Sequence, residues 1–400
     1  MAAETPSPTL IQPDLEFVRT LKRSGADTVK KCYQCATCTV TCKLSPDRQP
    51  FPRKEMIWAQ WGLKDRLLTD PDVWLCEQCN DCSTQCPRGA RPGDVLAAVR
   101  AQAVQRYAWP TWLGRLVAQP KYFAVLAAVP LLLGLLFSMP PGEKGDFDLL
   151  FLKHTGGRFA PFEDFLSHGV LYGVFIPLSV FIVAAVVTGV KRYWSAMSVE
   201  TGARNANPLC ASVLAAFWEV LTHQQLRKCE SNKQRYLAHA LIFYGFVGLL
   251  ITTAMVVVGL YAFGWELPWN LDHPVRGFFK ILGNVSGLAL TAGCVLMVLQ
   301  RLRGGDDVGK NTYFDWVFLL ILGGVGLTGL LVQLTRIVTY GALPYIVYGV
   351  HLALVFFLLA YFPHSKFAHL IYHIAAKVHS KVYDRYDERA PSPATTAGAQ

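Results

Sequence analysis

From residue 122 onward the apolar residues come in long unbroken runs. Six stand out, at about 122–139, 168–190, 236–262, 276–300, 313–337 and 344–362. Most reach the roughly 20 residues a helix needs to cross a bilayer core. The first is the shortest and contains Pro130. Upstream the pattern differs. Leu15, Phe17, Val18 and Leu21 recur at helical spacing and predict a short helix, which Ser24-Gly25 stops. Met56, Ile57, Trp61, Leu63, Leu67 and Leu68 are again spaced as in helices, with Thr69-Asp70-Pro71 as a cap or turn. Val95, Leu96, Val99 and Val104 mark the apolar side of a helix over Asp94–Tyr107. Trp109, Trp112, Arg115, Lys121, Tyr122 and Phe123 then mix aromatic and basic residues, as headgroup-level segments do. The pattern predicts an all-α chain in five parts. These are a disordered leader (1–12), a helical domain (13–107), an interfacial linker (108–121), a six-helix transmembrane bundle (122–373) and a cytoplasmic tail (374–400). Leu209–Leu221 fits an amphipathic helix on the inner surface.

Composition agrees with a membrane protein. The 400 residues are 52% hydrophobic but only 16% charged, against about 25% charged for a soluble domain. The net charge of +10 could suggest nucleic acid. The cations, however, sit between the apolar runs, where they orient a protein in a lipid bilayer, so no nucleic-acid partner is expected. Loop 191–235 carries Lys191, Arg192, Arg204, Arg227, Lys228, Lys233 and Arg235 against Glu200, Glu219 and Glu230. Loop 301–312 carries Arg301, Arg303 and Lys310. The alternate loops carry Glu143, Asp146, Asp148, Glu163, Asp164, Glu266 and Asp272. The positive-inside rule then puts both termini and the N-terminal domain in the cytoplasm, on a multi-pass inner-membrane protein. Met1–Pro13 shows no apolar signal core.

The chemistry is concentrated in two cysteine boxes. Cys32, Cys35, Cys38 and Cys42 form one; Cys76, Cys79, Cys82 and Cys86 form the other, followed by Pro87. Both read CxxCxxCxxxC, the spacing of a two-[4Fe–4S] ferredoxin, in which the fourth Cys of each box reaches to the other cluster. On that pattern one cluster takes Cys32, Cys35, Cys38 and Cys86, and the other Cys76, Cys79, Cys82 and Cys42. A pair of zinc sites is the competing reading, although zinc boxes pair two CxxC halves across a longer gap. Lys43 stands where the first box would have proline, so its turn is expected to differ. Cys210, Cys229 and Cys294 are left over as isolated free thiols.

Ionisable residues within spans are functional candidates. His239 lies early in the third run and His351 early in the sixth; His168 opens the second, and His364, His369 and His373 follow Pro363. From Pro344, His369 is about 37 Å along a helix and His351 about 10 Å. That pairs His239 with His369 at the inner edge, with His364 in reserve, and His168 with His351 at the outer edge, as ligand pairs for one or two haems b. His154, His223, His273 and His379 fall in loops and carry no expected role. Gly324-Val325-Gly326-Leu327-Thr328-Gly329 matches GxGxxG, but within an apolar span it reads as close helix packing, like Gly283 and Gly287. The chain shows no nucleotide motif.

The boxes resemble the C subunit of heterodisulfide reductases, and the His-bearing spans resemble the membrane cytochrome b of respiratory nitrate reductase. Their fusion, over about residues 13–385, is similar to the C-type membrane subunit of quinone-interacting membrane-bound oxidoreductases of sulfate reducers. His351 and His369 repeat the 18-residue ligand spacing of that cytochrome, whereas Leu249 stands where His239 would find its partner. The resemblance implies a helical two-cluster ferredoxin fused to a cytochrome b. It implies two haems b, oxidation of menaquinol, and electron transfer to cytoplasmic flavin and iron–sulfur subunits in sulfate respiration. The cysteine-rich motif of heterodisulfide catalysis is missing from the sequence. Three other readings stay open: the same relay run in reverse to reduce quinone, a heterodisulfide reductase-type cytochrome b subunit of another complex, and a transporter or sensor with a zinc module.

Overall fold

A computed structural model describes residues 12–46, 49–137, 166, 168–201, 207–229, 233–265, 273–305, 308–338 and 343–383. No strand occurs among them. The leader to residue 11, the tail from 384, His154 and the acidic loop residues named above lie outside these ranges.

The N-terminal domain is a set of short helices around two irregular loops. Helix α1 (Leu15–Leu21) starts where Asp14 Oδ1 accepts the Phe17 N–H at 2.8 Å, and buries Phe17, Val18 and Leu21. The chain leaves the next turn at Gly25, at φ 111°. Helix α2 (Thr37–Thr41) lies at the end of the first box. The helical stretch expected over 51–75 is three helices: α3 (Arg53–Trp61), α4 (Lys64–Thr69) and α5 (Asp72–Leu75). Gly62 ends α3 at φ 69°, where a Cβ would lie 2.6 Å from the Asp14 carbonyl, so α1 and α3 meet on a residue that must be glycine. Helix α6 (Asp81–Thr84) lies at the end of the second box. Helix α7 (Pro92–Tyr107) begins with proline, whose missing N–H costs nothing in a first turn.

The membrane part begins at a break. Helix α8 (Thr111–Val117) and helix α9 (Phe123–Phe137) meet at 92°, and only together do they reach spanning length. Helices α10 (His168–Thr201), α12 (Lys233–Phe263), α13 (Pro274–Arg303) and α14 (Tyr313–Val338) are long and apolar enough to cross, as is the pair α15 (Leu343–Tyr361) and α16 (Ala368–Val382). The expected six-helix bundle is therefore five spanning helices among the described residues, plus a sixth span only if the α8–α9 bend counts as one. Helix α11 (Leu209–Leu221) is too short to span and leaves Leu209, Leu214, Phe217 and Trp218 exposed. Such an apolar surface is what an interfacial helix gives to lipid. Val180, Leu250, Leu288 and Leu320 are likewise exposed along the spans.

Small residues set the helix spacing, as the GxGxxG stretch predicts. A Cβ on Gly245 would lie 2.7 Å from Leu290 N, and one on Gly293 2.9 Å from the Ala238 carbonyl, so α12 and α13 touch backbone to backbone. Gly324 faces Leu354, Gly326 faces Thr291 and Gly329 lies under the His351 ring.

Two features correct the expected domain layout. After a turn at Phe362–His364, α16 runs to Val382 and buries Tyr372, Ala375, Ala376, Val378 and His379, so the helix continues past the expected domain boundary at 373. In addition, the cluster domain and the membrane helices share one core. Trp74 of α5, Tyr107 of α7, Tyr193 of α10 and Tyr372 of α16 pack ring against ring, with Met56, Leu67, Leu96 and Met197 around them. The loops that the charge pattern places inside also touch this domain. Arg91 donates to the Val308 carbonyl at 2.8 Å, Lys310 N donates to Asp94 at 2.9 Å, and Lys310 pairs with Asp27.

Candidate electron-transfer site

The two boxes have the same backbone. Gln34 and Ala36 in the first, and Gln78 and Asn80 in the second, take φ between 51° and 69°. These left-handed positions, uncommon for residues with a Cβ, wrap each CxxCxxC around a point and then start a short helix, α2 or α6. The turn after Cys42 does not differ as expected. Ser45 N–H donates to the Cys42 carbonyl at 3.1 Å, as Gly89 N–H donates to the Cys86 carbonyl at 3.1 Å. Lys43 thus occupies the same turn position as Pro87. In the second box the Ala90 N–H also bonds Cys86 Sγ, at 3.3 Å.

The cysteines sort across the boxes. One shallow, open pocket is lined by Cys32, Cys35, Cys38 and Cys86, together with Tyr33, Arg53 and Arg88. The neighbours of Cys42 are Cys76 and Cys79, and those of Cys82 include Cys76, Cys79 and Cys42. Cys86 of the second box thus lies with the first, and Cys42 of the first lies with the second. Sulfur acceptors are served by Gln78 N–H to Cys76 at 3.3 Å and Gln34 Nε2 to Cys32 at 3.4 Å. Burial pushes the Cys38 thiol up to about 11 and the Cys42 thiol up to about 12. Left free they stay protonated, so thiolate ligation of iron releases protons. Each set brings cysteines of both boxes together with N–H donors beside them, a donor set whose chemistry fits a [4Fe–4S] cluster. The first set opens to solvent at Cys35; in the second no cysteine is fully exposed, and Cys79 lies beside Cys229 of the membrane part.

The inner histidines also converge. His239 Nδ1 is 3.2 Å from His223 Nε2, and the titratable groups facing His239 are His369, His223, Arg235 and His373. His369 Nδ1 donates to the Lys366 carbonyl at 2.6 Å. Both rings therefore have Nδ1 occupied and Nε2 available, the disposition of an oriented metal ligand. One turn along α16, His373 Nδ1 donates to the Trp74 carbonyl at 2.5 Å, and its Nε2 is 3.5 Å from Glu77 in the second box. His364 is held elsewhere: its Nε2 donates to the Trp109 carbonyl at 3.1 Å and its ring stacks on Phe181. His351 Nδ1 bonds Thr328 Oγ1 at 2.9 Å, again leaving Nε2. The side chain of its expected partner His168, at the start of α10, lies outside the described residues.

Four residues escaped sequence reasoning. His223, expected in an ordinary loop, is buried beside His239, and burial holds it below its usual value and so neutral. Cys229, expected as isolated, lies against Cys79. Arg235 donates to the Gln78 carbonyl. Buried Lys377 pairs with Glu77 at 3.7 Å and Glu219 at 3.5 Å. Residue type was their only signal, because each contact joins segments that meet only in three dimensions.

Comparison with known proteins divides the chain at the same place. A family model described as citrate utilization protein B matches residues 116–394, over half of the chain. The chain belongs to the citrate utilization protein B family. The citrate utilization protein B of Escherichia coli is 27% identical over 332 residues, covering 79% of this chain and 83% of the relative. Residues 28–90 match a 4Fe-4S dicluster domain. There the relatives are heterodisulfide reductase proteins. The C subunit of the H(2):CoB-CoM heterodisulfide,ferredoxin reductase of Methanothermobacter marburgensis is 38% identical over 93 residues, 23% of this chain and 50% of the relative. A protein of Archaeoglobus profundus, described as like the heterodisulfide reductase C subunit, is 37% identical over 89 residues, 22% of this chain and 47% of the relative. The chain thus spans about half the length of these heterodisulfide reductase relatives. This member of the citrate utilization protein B family carries an iron–sulfur electron-transfer domain on a multi-pass, membrane-type helical part.

Proposed function

We propose that the chain is the membrane-anchored electron relay of a multi-subunit oxidoreductase, connecting the quinol pool to a soluble flavin- and iron–sulfur-containing partner. The observation that carries this reading is α16. It presents His369 towards His239 and, one turn later, ties His373 to the second box at Trp74 and Glu77. A haem-type donor pair and a cluster-type donor set are thereby built into one packed unit.

In this reading Cys76, Cys79, Cys82 and Cys42 hold the inner cluster, Cys32, Cys35, Cys38 and Cys86 the outer, and His239 with His369 a haem b. These groups would supply one-electron carriers between membrane and cytoplasm. The protein's own part is positional. His223 and the Lys366 carbonyl fix the ring planes of the His pair. Arg100 donates to the Val73 and Cys76 carbonyls at 2.8 Å and anchors the second box to α7. Cys35 and the exposed Tyr33 leave the outer set accessible to a docked partner. His351, with His168, is the proposed outer haem pair, and the contact of both inner loops with the cluster domain supports a cytoplasmic placement of that domain.

Menaquinol as donor and sulfate respiration as setting come from the resemblance alone. Membership of the citrate utilization protein B family favours a second direction, in which oxidation of an organic acid on the soluble side feeds electrons through the same relay to quinone. Anaerobic purification, metal analysis and optical spectra test the reading. About eight irons in clusters, together with b-type haem bands that respond to a menaquinol analogue, are expected. Zinc in place of iron, the signature of the sensor or transporter reading, sinks it. Reduction by the quinol analogue, against reoxidation of reduced protein by the quinone, separates the two directions.

A further inference from the structure

Ligation of the second box would leave one sulfur unexplained. Cys229 follows α11 and precedes α12, far in sequence from the box, yet its Sγ, Cys79 Sγ and an Asp81 carboxylate oxygen lie within 4.8 Å of one another. The Cys229 thiol therefore lies beside the Cys79 sulfur, with the Gln225 carbonyl at 4.0 Å as a further acceptor. A second residue from the same region reaches the same loop: Arg235, in the first turn of α12, donates to the Gln78 carbonyl. Gln78 in turn gives its N–H to Cys76 Sγ. The membrane part therefore grips the second box at two adjacent residues, Gln78 and Cys79.

The chemistry fixes the direction that a Cys229–Cys79 bond can take. A Cys79 sulfur bound to iron carries no proton and only accepts, so the S–H of Cys229 is the donor. A donor to a ligand sulfur stabilises the more negative, reduced state of a cluster and raises its potential. The Asp81 carboxylate beside both sulfurs acts in the opposite sense. We infer that Cys229 is a positioning residue of the membrane domain that raises the reduction potential of the inner cluster through a thiol hydrogen bond to Cys79. The inference rests on the cluster ligation proposed above. It makes the inner cluster respond to the seating of the cluster domain on the membrane part, since the donor belongs to one and the acceptor to the other.

The test is an EPR-monitored redox titration of the full-length protein, purified anaerobically, as wild type, Cys229→Ala and Cys229→Ser. The expected result is an unchanged iron content in all three. In Cys229→Ala, one of the two cluster potentials shifts to a more negative value and the other stays. Cys229→Ser, which keeps a donor, recovers part of the shift. If Cys229→Ala gives no folded protein, Cys229→Val, close in size and without a donor, carries the same comparison. Two unmoved potentials in a fully loaded donorless variant overturn the inference. So does loss of about four irons, which would make Cys229 a ligand instead. Wild-type protein without clusters refutes the relay reading itself, and so is told apart from a failure of the Cys229 role.

Discussion

Each cysteine of a box does a separable job, and Cys42 is the one that distinguishes crossed from uncrossed ligation. It belongs to the first box by sequence but neighbours Cys76 and Cys79. Cys42→Ala should therefore cost the inner cluster and leave the outer one, so that iron falls by about half and one EPR signal survives. Survival of the inner signal would restore the uncrossed assignment. His223 acts on His239 through a hydrogen bond at 3.2 Å. His223→Ala should weaken haem retention by about 10- to 100-fold, read as haem lost on dilution, whereas His239→Ala removes it. Glu55 shows a residue-scale cost unrelated to electron transfer. Burial pushes its carboxyl well above the usual range, Lys54 acting against this and Asp70 and Asp72 with it. The folded chain therefore holds a proton that the unfolded chain releases above pH about 4.3. Stability is full below that pH and falls as pH rises towards the folded value. Glu55→Gln should stabilise the protein by on the order of 1 kcal/mol at neutral pH. The gain in melting temperature should grow as pH rises from about 4.3, and a gain independent of pH would refute this account.

Element packing depends on glycine where two spans touch backbone to backbone. Gly245 and Gly293 bring α12 against α13, and Gly329 makes room for the His351 ring. Gly245→Val inserts three carbons where the first already meets Leu290 N at 2.7 Å. It should cost about 1–3 kcal/mol and displace His239 on the same helix, which haem absorbance and thermal aggregation in detergent would register together. Gly134→Val, with no neighbour near its Cβ position, is the control that should change neither. The helical periods of the spans were legible from sequence because a membrane demands unbroken apolar helices. The α8–α9 bend and the continuation of α15 into α16 were not. Both turn on local backbone choices at 118–122 and 362–367, within stretches whose apolar content reads equally well as one helix or two.

At the scale of the whole molecule, the shared core decides how the relay is assembled. Tyr372 of α16 packs against Trp74 and Tyr193 at centroid distances of 5.2 and 5.5 Å. Tyr372→Ala should cost about 3–5 kcal/mol and lower cluster and haem content together, because the cavity lies where the two parts join. Loss of one group with full retention of the other would mean that the domains are independently seated. The ion pairs at the inner ends act in the same region: Asp315 of α14 meets Arg301 of α13 at 3.4 Å and also Lys366, just before α16.

The sequence by itself determined the local chemistry. The CxxCxxCxxxC spacing marked two sets of closely spaced thiols as cluster ligands, since ligand reach along a loop is a short-range property. The apolar runs fixed which segments can span, and the loop charges fixed their expected sense. Tertiary structure decided what lies next to what. That His223 orients His239, that Cys229 and Arg235 clasp the second box, and that α16 belongs to the cluster domain's core all follow from packing between segments distant in the chain. No period or motif encodes such contacts, because they depend on the relative placement of helices that each look complete alone.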